Sequence, residues 1–468
     1  MTFIKISTFT EITVKGAIGE DGSGGHCQRR GKDIELNTRN RIVGGFRISR
    51  IHAGDQLIHH VNSQAGDTER VFMIVPGKEA AETVRQIWKD IEADYKKASL
   101  LTIKYHEMIL VAKLEFKIQG DGKEGIQLTG LGGAFCLLCY ATEEDANDPV
   151  KIEQGFPIER TLEEIWEIWN MLTNDGTQEI KKQTKDYAIR GGATQMPMLT
   201  VECKLDPTKN IPEMHFILHL FDYSRNTYIT MKARQILGRL PERGSKGRGN
   251  KISEEDEEAL AEALRYFTLK LREPPLNLMT NAPDPHGHGG SVENGNTCRT
   301  FFDPKNREAV IRIYEEVATT MEVEHLRMFF LEGYAIYHIM NSTGKIDVEA
   351  FSELVHESYM HWKEAFPYQK IFNSIHWTLG HIGELTELND GYATGEISEG
   401  ALEVVHKNYR RISEHLARNT SFADNCKDSM RRLWIGSDPI TRLNKPTIKK
   451  RKNKLASDDA KFVAAFFI

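Results

Sequence analysis

Residues 12–25 read ITVKGAIGEDGSGG and join a strand-like approach to an acid and a run of small residues. Apolar residues dominate up to Ile18, and Asp21 is followed directly by glycines and a serine. Glycines let another group come close to the backbone, so Asp21 at a strand end could be a metal ligand that faces a phosphate. An Asp-Gly pair is also the commonest signal of a hairpin turn, and this stretch alone favours the turn.

Strand-like segments continue on either side of a single helix up to about residue 140. GGFRISRIHAG and VFMIVPG follow the first stretch, and KEAAETVRQIWKDIEADY then has its apolar residues at helical spacing. HEMILVAKLEFKIQGDGK is extended again and ends at a second acid, Asp121, which Gly122 follows. The sequence therefore predicts three strands, a helix and a further strand, with two acids at strand ends.

The composition excludes several classes of protein. The chain has 468 residues, enough for about three domains, and 40% of them are hydrophobic. Its 61 lysines and arginines against 67 acidic residues give a net charge of −6, so any site for a polyanion must be local. No apolar run reaches the ~20 residues of a membrane helix, and the first residues do not resemble a signal peptide. We expect a soluble intracellular protein whose cysteines form no disulfide scaffold.

Helical patterns dominate from about residue 160 to 375. Thr161 with Glu164, and Ser253 with Asp256, are typical of capping boxes that begin helices. Between these starts, KARQILGRLPERGSKGRGNK (232–251) carries seven cations among glycines. It is either a solvated flexible loop or a loop that becomes ordered on the phosphates of DNA.

Two cysteines have the spacing of half a zinc site. Cys136 and Cys139 are separated by two residues, but structural zinc needs four ligands. Two histidine pairs with identical spacing could complete the set, His356 with His361 and His376 with His381. Spacing alone cannot choose between them.

A third acid lies on the predicted helix that begins near residue 400. The apolar residues of this segment step by three and four along one face: Leu402, Val405, Tyr409, Ile412 and Leu416. Glu403 lies beside this stripe, with Lys407 and Arg410 further along. Such a pattern is also common in surface salt bridges of ~0.3 to 0.5 kcal/mol per pair, which have no function.

Five motifs, taken together, resemble one family. They are DGSGG (21–25), DGK (121–123) leading into FCLLC, ENGNTCRTFF (293–302), IHWTLGH (375–381), and SEGALEVVHKNYRR continuing to WIGSDP (398–439). In this order and with these gaps, the chain resembles the Transib transposases and the catalytic core of the RAG-type recombinase that cuts antigen-receptor genes. The resemblance runs from about residue 12 to residue 440, nearly the whole chain.

The resemblance implies an α/β enzyme with an RNase H-like catalytic fold. Its three catalytic acids correspond to Asp21, Asp121 and Glu403, which would hold two Mg²⁺ or Mn²⁺ ions. The resemblance also selects the second histidine pair, and so implies one structural Zn²⁺. The implied zinc ligands are Cys136, Cys139, His376 and His381.

The long gap before the third acid implies an interrupted core. The first two acids are 100 residues apart, which suits a catalytic core, whereas 282 residues separate the second from the third. We therefore expect a core in two parts, residues 10–135 and 382–440, around a mainly helical zinc-bearing insertion at 136–381. A basic tail at 441–468 would follow.

The implied partner is double-stranded DNA. By the resemblance, water nicks one strand, and the freed 3′ hydroxyl attacks the opposite strand to leave a hairpin, with strand transfer as a further step. A homodimer and a second recombinase subunit are both compatible with the family, and no membrane partner is expected. TIKKRKNK (447–454) is typical of a nuclear import signal, so we expect the protein in the nucleus. The candidate DNA-binding residues are Arg234, Arg239, Arg243, Lys246, Arg248, Lys407, Arg410 and Arg411.

A second function from another class stays open. The relatives carry DNA-end-binding segments before the first aspartate, whereas here only twenty residues precede Asp21. Around Glu403, Leu402 and Val404 also depart from the polar residues that are usual in the family. The alternative is a domesticated or degenerate relative that binds zinc and DNA without cleaving it.

Overall fold

A mixed β-sheet and many helices make up this α/β protein. The computed structural model describes residues 11–23, 41–60, 69–76, 80–105, 108–120, 122–132, 136–173, 192–206, 213–242, 252–278, 295–397, 400–418, 421–438 and 457–468. None of the described helices is both long and apolar enough to cross a membrane.

The six described strands form one sheet with parallel and antiparallel pairs. They are β1 (Glu11–Ser23), β2 (Arg41–Ala53), β3 (Gln56–His60), β4 (Arg70–Pro76), β5 (Leu100–Tyr105) and β6 (Met108–Ile118). The order is β3-β2-β1-β6-β5, and β4 pairs with the first half of β2. Strands β1 and β6 are the parallel neighbours, with Ile18 opposite Ile118, and the other pairs are antiparallel.

Helices cover both faces of the sheet. On one face, α1 (Ala81–Ala98) buries Trp88 and its other apolar residues against Ile18, Ile42 and Ile118. On the opposite face, α12 (Gly400–His415) and α13 (Phe422–Ser437) pack against Val43 and Val71. Successive residues of a strand point to opposite faces, so Ile42 packs in the core under α1 and Val43 in the core under α12 and α13.

The remaining helices form a larger core beside the sheet. They are α2 (Gly122–Thr129), α3 (Pro149–Gln154), α4 (Leu162–Leu172), α5 (Glu213–Leu237), α6 (Glu254–Arg272), α7 (Gly295–Phe302), α8 (Pro304–Glu315), α9 (Thr320–Met340), α10 (Val348–Ala365), α11 (Asn373–Glu387) and α14 (Ser457–Ala464). Phe216, Ile217 and Leu218 of α5 are all buried although successive residues of a helix point about 100° apart, which is typical of a central helix.

Several local predictions are confirmed. Helix α1 forms where its apolar spacing predicted it, and the capping box of Thr161 and Glu164 begins α4. Ser253 caps α6 by accepting a hydrogen bond from the Asp256 backbone nitrogen. The buried stripe of α12 is confirmed at four positions, but Leu416 is 47% exposed because the helix ends at His415.

Three features differ from the sequence expectations. Asp21 does not lie in a hairpin turn, because β1 continues through it and pairs with β2 as far as Ser23. Strands β3 and β5 were not predicted. The segment that was read as a basic loop is helical at its start, where Lys232 and Arg234 belong to α5.

The boundary between the predicted core and insertion is crossed by packing contacts. Leu199 and Leu205, which fall in the predicted insertion, lie in the same apolar cluster as Trp88 of α1. At the other end of the chain, Phe466 packs in the large helical core, and its carbonyl accepts a hydrogen bond from Asp347. The described residues therefore show helices packed beside a sheet and do not show a separate insertion.

Candidate metal centre

Four buried side chains converge within the large helical core. Cys136, Cys139, His376 and His381 place their ligand atoms within 4.8 Å of one another. The Cys136 sulfur is 3.3 Å from His381 Nε2, and the Cys139 sulfur is 3.5 Å from His376 Nε2. Zinc bound tetrahedrally to sulfur and nitrogen would hold them about 3.6 Å apart. These residues could therefore bind a zinc ion with little movement.

Local structure explains how the four ligands meet. The two cysteines lie in a tight turn after α2, where backbone N–H groups of Leu138 and Ala141 point at the sulfurs at 3.4 Å. Both histidines come from α11, whose buried face lies against this turn. Backbone donors stabilise the thiolate form that zinc requires.

The second ring nitrogen of His376 is held by Tyr359. The Tyr359 hydroxyl lies 2.9 Å from His376 Nδ1 and donates its own hydrogen to the Ala146 carbonyl at 2.7 Å. Because a hydroxyl has one hydrogen, it accepts from His376 Nδ1–H. This bond leaves the lone pair of Nε2 facing Cys139, which is the tautomer that a zinc ligand needs.

The two thiols differ in their acidity. The pKa of Cys139 is held far below its ordinary value, first by the hydrogen bond with Cys136 and then by those with His376 and His381. Burial raises the pKa of Cys136. Zinc binds cysteine as the thiolate, so binding of zinc would release the protons that the two sulfurs still carry.

The competing histidine pair lies elsewhere. His356 is exposed on α10, while the ring of His361 contacts His325 and Glu332. Neither belongs to the cysteine cluster. The structure therefore places His376 and His381, rather than His356 and His361, beside the two cysteines.

The elements that carry Asp21 and Glu403 meet at one corner of the sheet. Asp21 lies in β1 opposite Val43 of β2, and the side chain of Val43 packs against α12, the helix that contains Glu403. Asp121 lies outside the described residues, but it directly follows the segment in which Gln119 donates its backbone N–H to Ile18 at 2.9 Å. The side chains of Asp21 and Glu403 are not described.

Glycine at position 19 allows β1 to lie close to Gln119 at the end of β6. A Cβ atom there would overlap the carbonyl oxygen of Gln119. Any larger residue would therefore separate the ends of β1 and β6.

A buried polar cluster that the sequence did not predict lies at the same corner. Gln119 donates a short hydrogen bond from Nε2 to Glu69, which is 1% exposed. Burial raises the pKa of Glu69 to about 7, against the opposing effects of Arg47, Gln119 and His406. His406 lies one turn after Glu403 on α12. Glu69 thus connects the end of β6 to the helix of the third acid, and no local pattern in the sequence signals it.

The candidate DNA-binding cations fall into three groups. Arg234 pairs with Glu322 at 2.9 Å, and Arg239 pairs with buried Asp256 at 2.8 Å. Lys407, Arg410 and Arg411 are exposed on α12. Outside the described residues lie Arg243, Lys246, Arg248 and the basic stretch at 447–454.

No protein-family model matches the chain, and no curated protein gives a significant match.

Proposed function

We propose that this protein is a DDE-type DNA recombinase or transposase with a structural zinc. In this proposal Asp21, Asp121 and Glu403 hold two Mg²⁺ or Mn²⁺ ions, and the sheet with α12 forms an RNase H-like core. Three carboxylates are hard oxygen donors, which suit these ions. When bound, such a pair of ions activates the attacking oxygen and stabilises the leaving one.

One observation carries the proposal: the Cys₂His₂ cluster. The family resemblance, and not the spacing, selected His376 and His381 from four candidate histidines. Each lies more than 230 residues beyond the cysteine that it approaches. These residues meet in a buried cluster with the distances that zinc requires. The chain and the family thus agree at four positions that are distant in the sequence. This agreement supports matching Asp21, Asp121 and Glu403 to the catalytic acids of the family.

The arrangement of the sheet gives a second line of support. Strands β1 and β6 are parallel neighbours with Ile18 opposite Ile118, and Asp21 and Asp121 each come three residues later in the chain. Helix α12 packs on that part of the sheet, and Gly22 follows Asp21 without a side chain to obstruct a DNA backbone. The chain's own part in the reaction is then to hold the scissile phosphate and the attacking hydroxyl in line at this edge.

The test is a nicking assay on supercoiled plasmid with Mg²⁺ or Mn²⁺. Asp21→Asn, Asp121→Asn and Glu403→Gln should each abolish nicking, because each removes a ligand charge at nearly constant volume. Two matched controls, Asp55→Asn in the exposed turn between β2 and β3 and Glu414→Gln on α12, should keep it. Zinc content and circular dichroism establish that each variant is folded.

Two outcomes would overturn the proposal. Near wild-type nicking by any of the three acid variants would remove that acid from the site. A wild-type protein that binds zinc and duplex DNA but never nicks would establish the non-cleaving alternative.

A further inference from the structure

A second group of histidines joins α9 to α10, away from the cysteine cluster. His325 Nδ1 lies 3.0 Å from His361 Nε2, and the other nitrogen of His361 lies 2.9 Å from Glu332 Oε2. The indole N–H of Trp362 donates to the same Glu332 oxygen at 2.7 Å. His361 is therefore held from behind by a carboxyl group while its outer nitrogen faces another imidazole.

The hydrogen-bond partners determine which nitrogen of His361 is free to bind a ligand. Trp362 can only donate, so Glu332 Oε2 is an acceptor, and it accepts from His361 Nδ1–H as well. Nε2 of a neutral His361 then carries the lone pair and points at His325. A carboxylate behind a histidine is the usual support of a metal-binding imidazole, because it fixes the ring and raises the basicity of the ligand nitrogen.

The spacing of the two imidazoles suits one metal ion. Nitrogens bound to one ion at ~2.0 to 2.1 Å lie about 2.9 to 3.4 Å apart for angles between 90° and 110°. The observed 3.0 Å falls inside this range. His325 is half-buried and the side chain of His361 is 21% exposed, so water can occupy the remaining coordination positions.

We propose that His325 and His361 form a second metal site for a zinc-class ion, held by two imidazoles and water and supported by Glu332. Imidazole nitrogen suits Zn²⁺, Cu²⁺ and Ni²⁺ rather than Mg²⁺. The site links α9 to α10, and α10 also supplies Tyr359 to the cysteine cluster. It does not depend on DNA cleavage, because none of its residues belongs to the proposed catalytic set.

The probe is Zn²⁺ itself, in equilibrium dialysis of the zinc-loaded full chain followed by elemental analysis. At micromolar free zinc and neutral pH, wild type should bind a second, exchangeable equivalent. His325→Gln and His361→Gln should each lose that equivalent and keep the first. Glu332→Gln, which acts only through His361, should weaken it about 10- to 100-fold.

Three further variants separate this site from the others. His356→Gln, exposed on the same helix, should keep both equivalents. Cys139→Ser should lose the tight equivalent but keep the exchangeable one. Asp21→Asn combined with Glu403→Gln should bind the exchangeable zinc normally, so failure of the catalytic proposal leaves this one unaffected.

The inference is overturned if wild type stops at the single tight zinc, which would make the imidazoles a proton-sharing pair only. It is also overturned if the exchangeable zinc survives both His325→Gln and His361→Gln. Should His361→Gln not fold, the half-buried His325→Gln decides the question alone.

Discussion

At the scale of single residues, Glu69 gives a prediction about the pH dependence of stability. Burial raises its pKa from 4.5 to about 7 in the folded protein. Between these two values the folded state holds a proton that the unfolded state has lost, so stability falls as pH rises from about 4.5 to about 7. At 1.36 kcal/mol per pKa unit, this loss amounts to about 3 kcal/mol.

Glu69→Gln should remove that loss, because the amide resembles the protonated acid and still accepts from Gln119. The variant should match wild type near pH 4.5 and exceed it by about 3 kcal/mol above pH 7. The measurement is chemical denaturation across pH in Mg²⁺-free buffer, with exposed Glu163→Gln as the control. Identical pH profiles for wild type and Glu69→Gln would disprove the assignment.

Cys139 carries the second residue-scale prediction. Cys139→Ser should lose the tight zinc and destabilise the protein by more than about 4 kcal/mol, because loss of a structural metal is among the most costly single changes. Cys203→Ser is the matched control, since Cys203 is equally buried but lies outside the cluster. Elemental analysis after dialysis against zinc-free buffer, together with denaturation, measures both effects. Retention of tight zinc by Cys139→Ser would show that Cys139 is not a ligand.

At the scale of helices and strands, the sequence predicted the elements whose formation depends on residues close together in the chain. Helix α1 and the start of α4 followed from apolar spacing and a capping box, which depend on residues a few positions apart. Strand β5 was missed because it is an edge strand whose Leu100 is 63% exposed, so it shows no buried face. Leu416 fits the stripe of α12 by period, but it lies beyond the last helical residue.

Helices α10 and α11 approach closely at Gly383, which gives a prediction at this scale. A Cβ atom at Gly383 would lie 2.9 Å from the Ser352 Cβ and 3.3 Å from its Cα, so one helix must move. Gly383→Ala should therefore destabilise the protein by ~1 to 3 kcal/mol. Gly436→Ala on α13, where nothing lies within 4 Å, should be neutral or stabilise it by up to ~1 kcal/mol. Denaturation curves decide, and equal stabilities for the two variants would contradict the close packing.

At the scale of the whole molecule, the sequence could not predict which residues distant in the chain come into contact. Two histidine pairs have identical spacing, and only the fold separates His376 and His381 in the cysteine cluster from His361 beside His325. Glu69 and Gln119 are 50 residues apart and meet because β4, β2, β1 and β6 are neighbours in the sheet. Arg234 and Arg239 likewise bind acids of the protein itself, whereas Lys407, Arg410 and Arg411 are exposed on α12.

This distinction leads to a prediction about DNA binding. The chain has a net charge of −6, so affinity for duplex DNA must come from a local cluster of cations. Lys407, Arg410 and Arg411 are exposed on α12 near the proposed catalytic corner. Each phosphate contact adds about 0.9 to the slope of log affinity against log salt. Neutralising all three with glutamine should flatten that slope by up to ~2.7 and leave sequence preference unchanged.

The matched control neutralises the exposed Lys89, Lys96 and Lys97 of α1. It removes the same charge from the opposite face of the sheet, because α1 packs on Ile42 whereas α12 packs on Val43. In a salt titration of binding to duplex DNA, the slope of log affinity against log salt should then flatten only for the α12 variant. Equal flattening in both variants would mean that net charge alone governs binding, and an unchanged slope in the α12 variant would place the DNA path away from this helix.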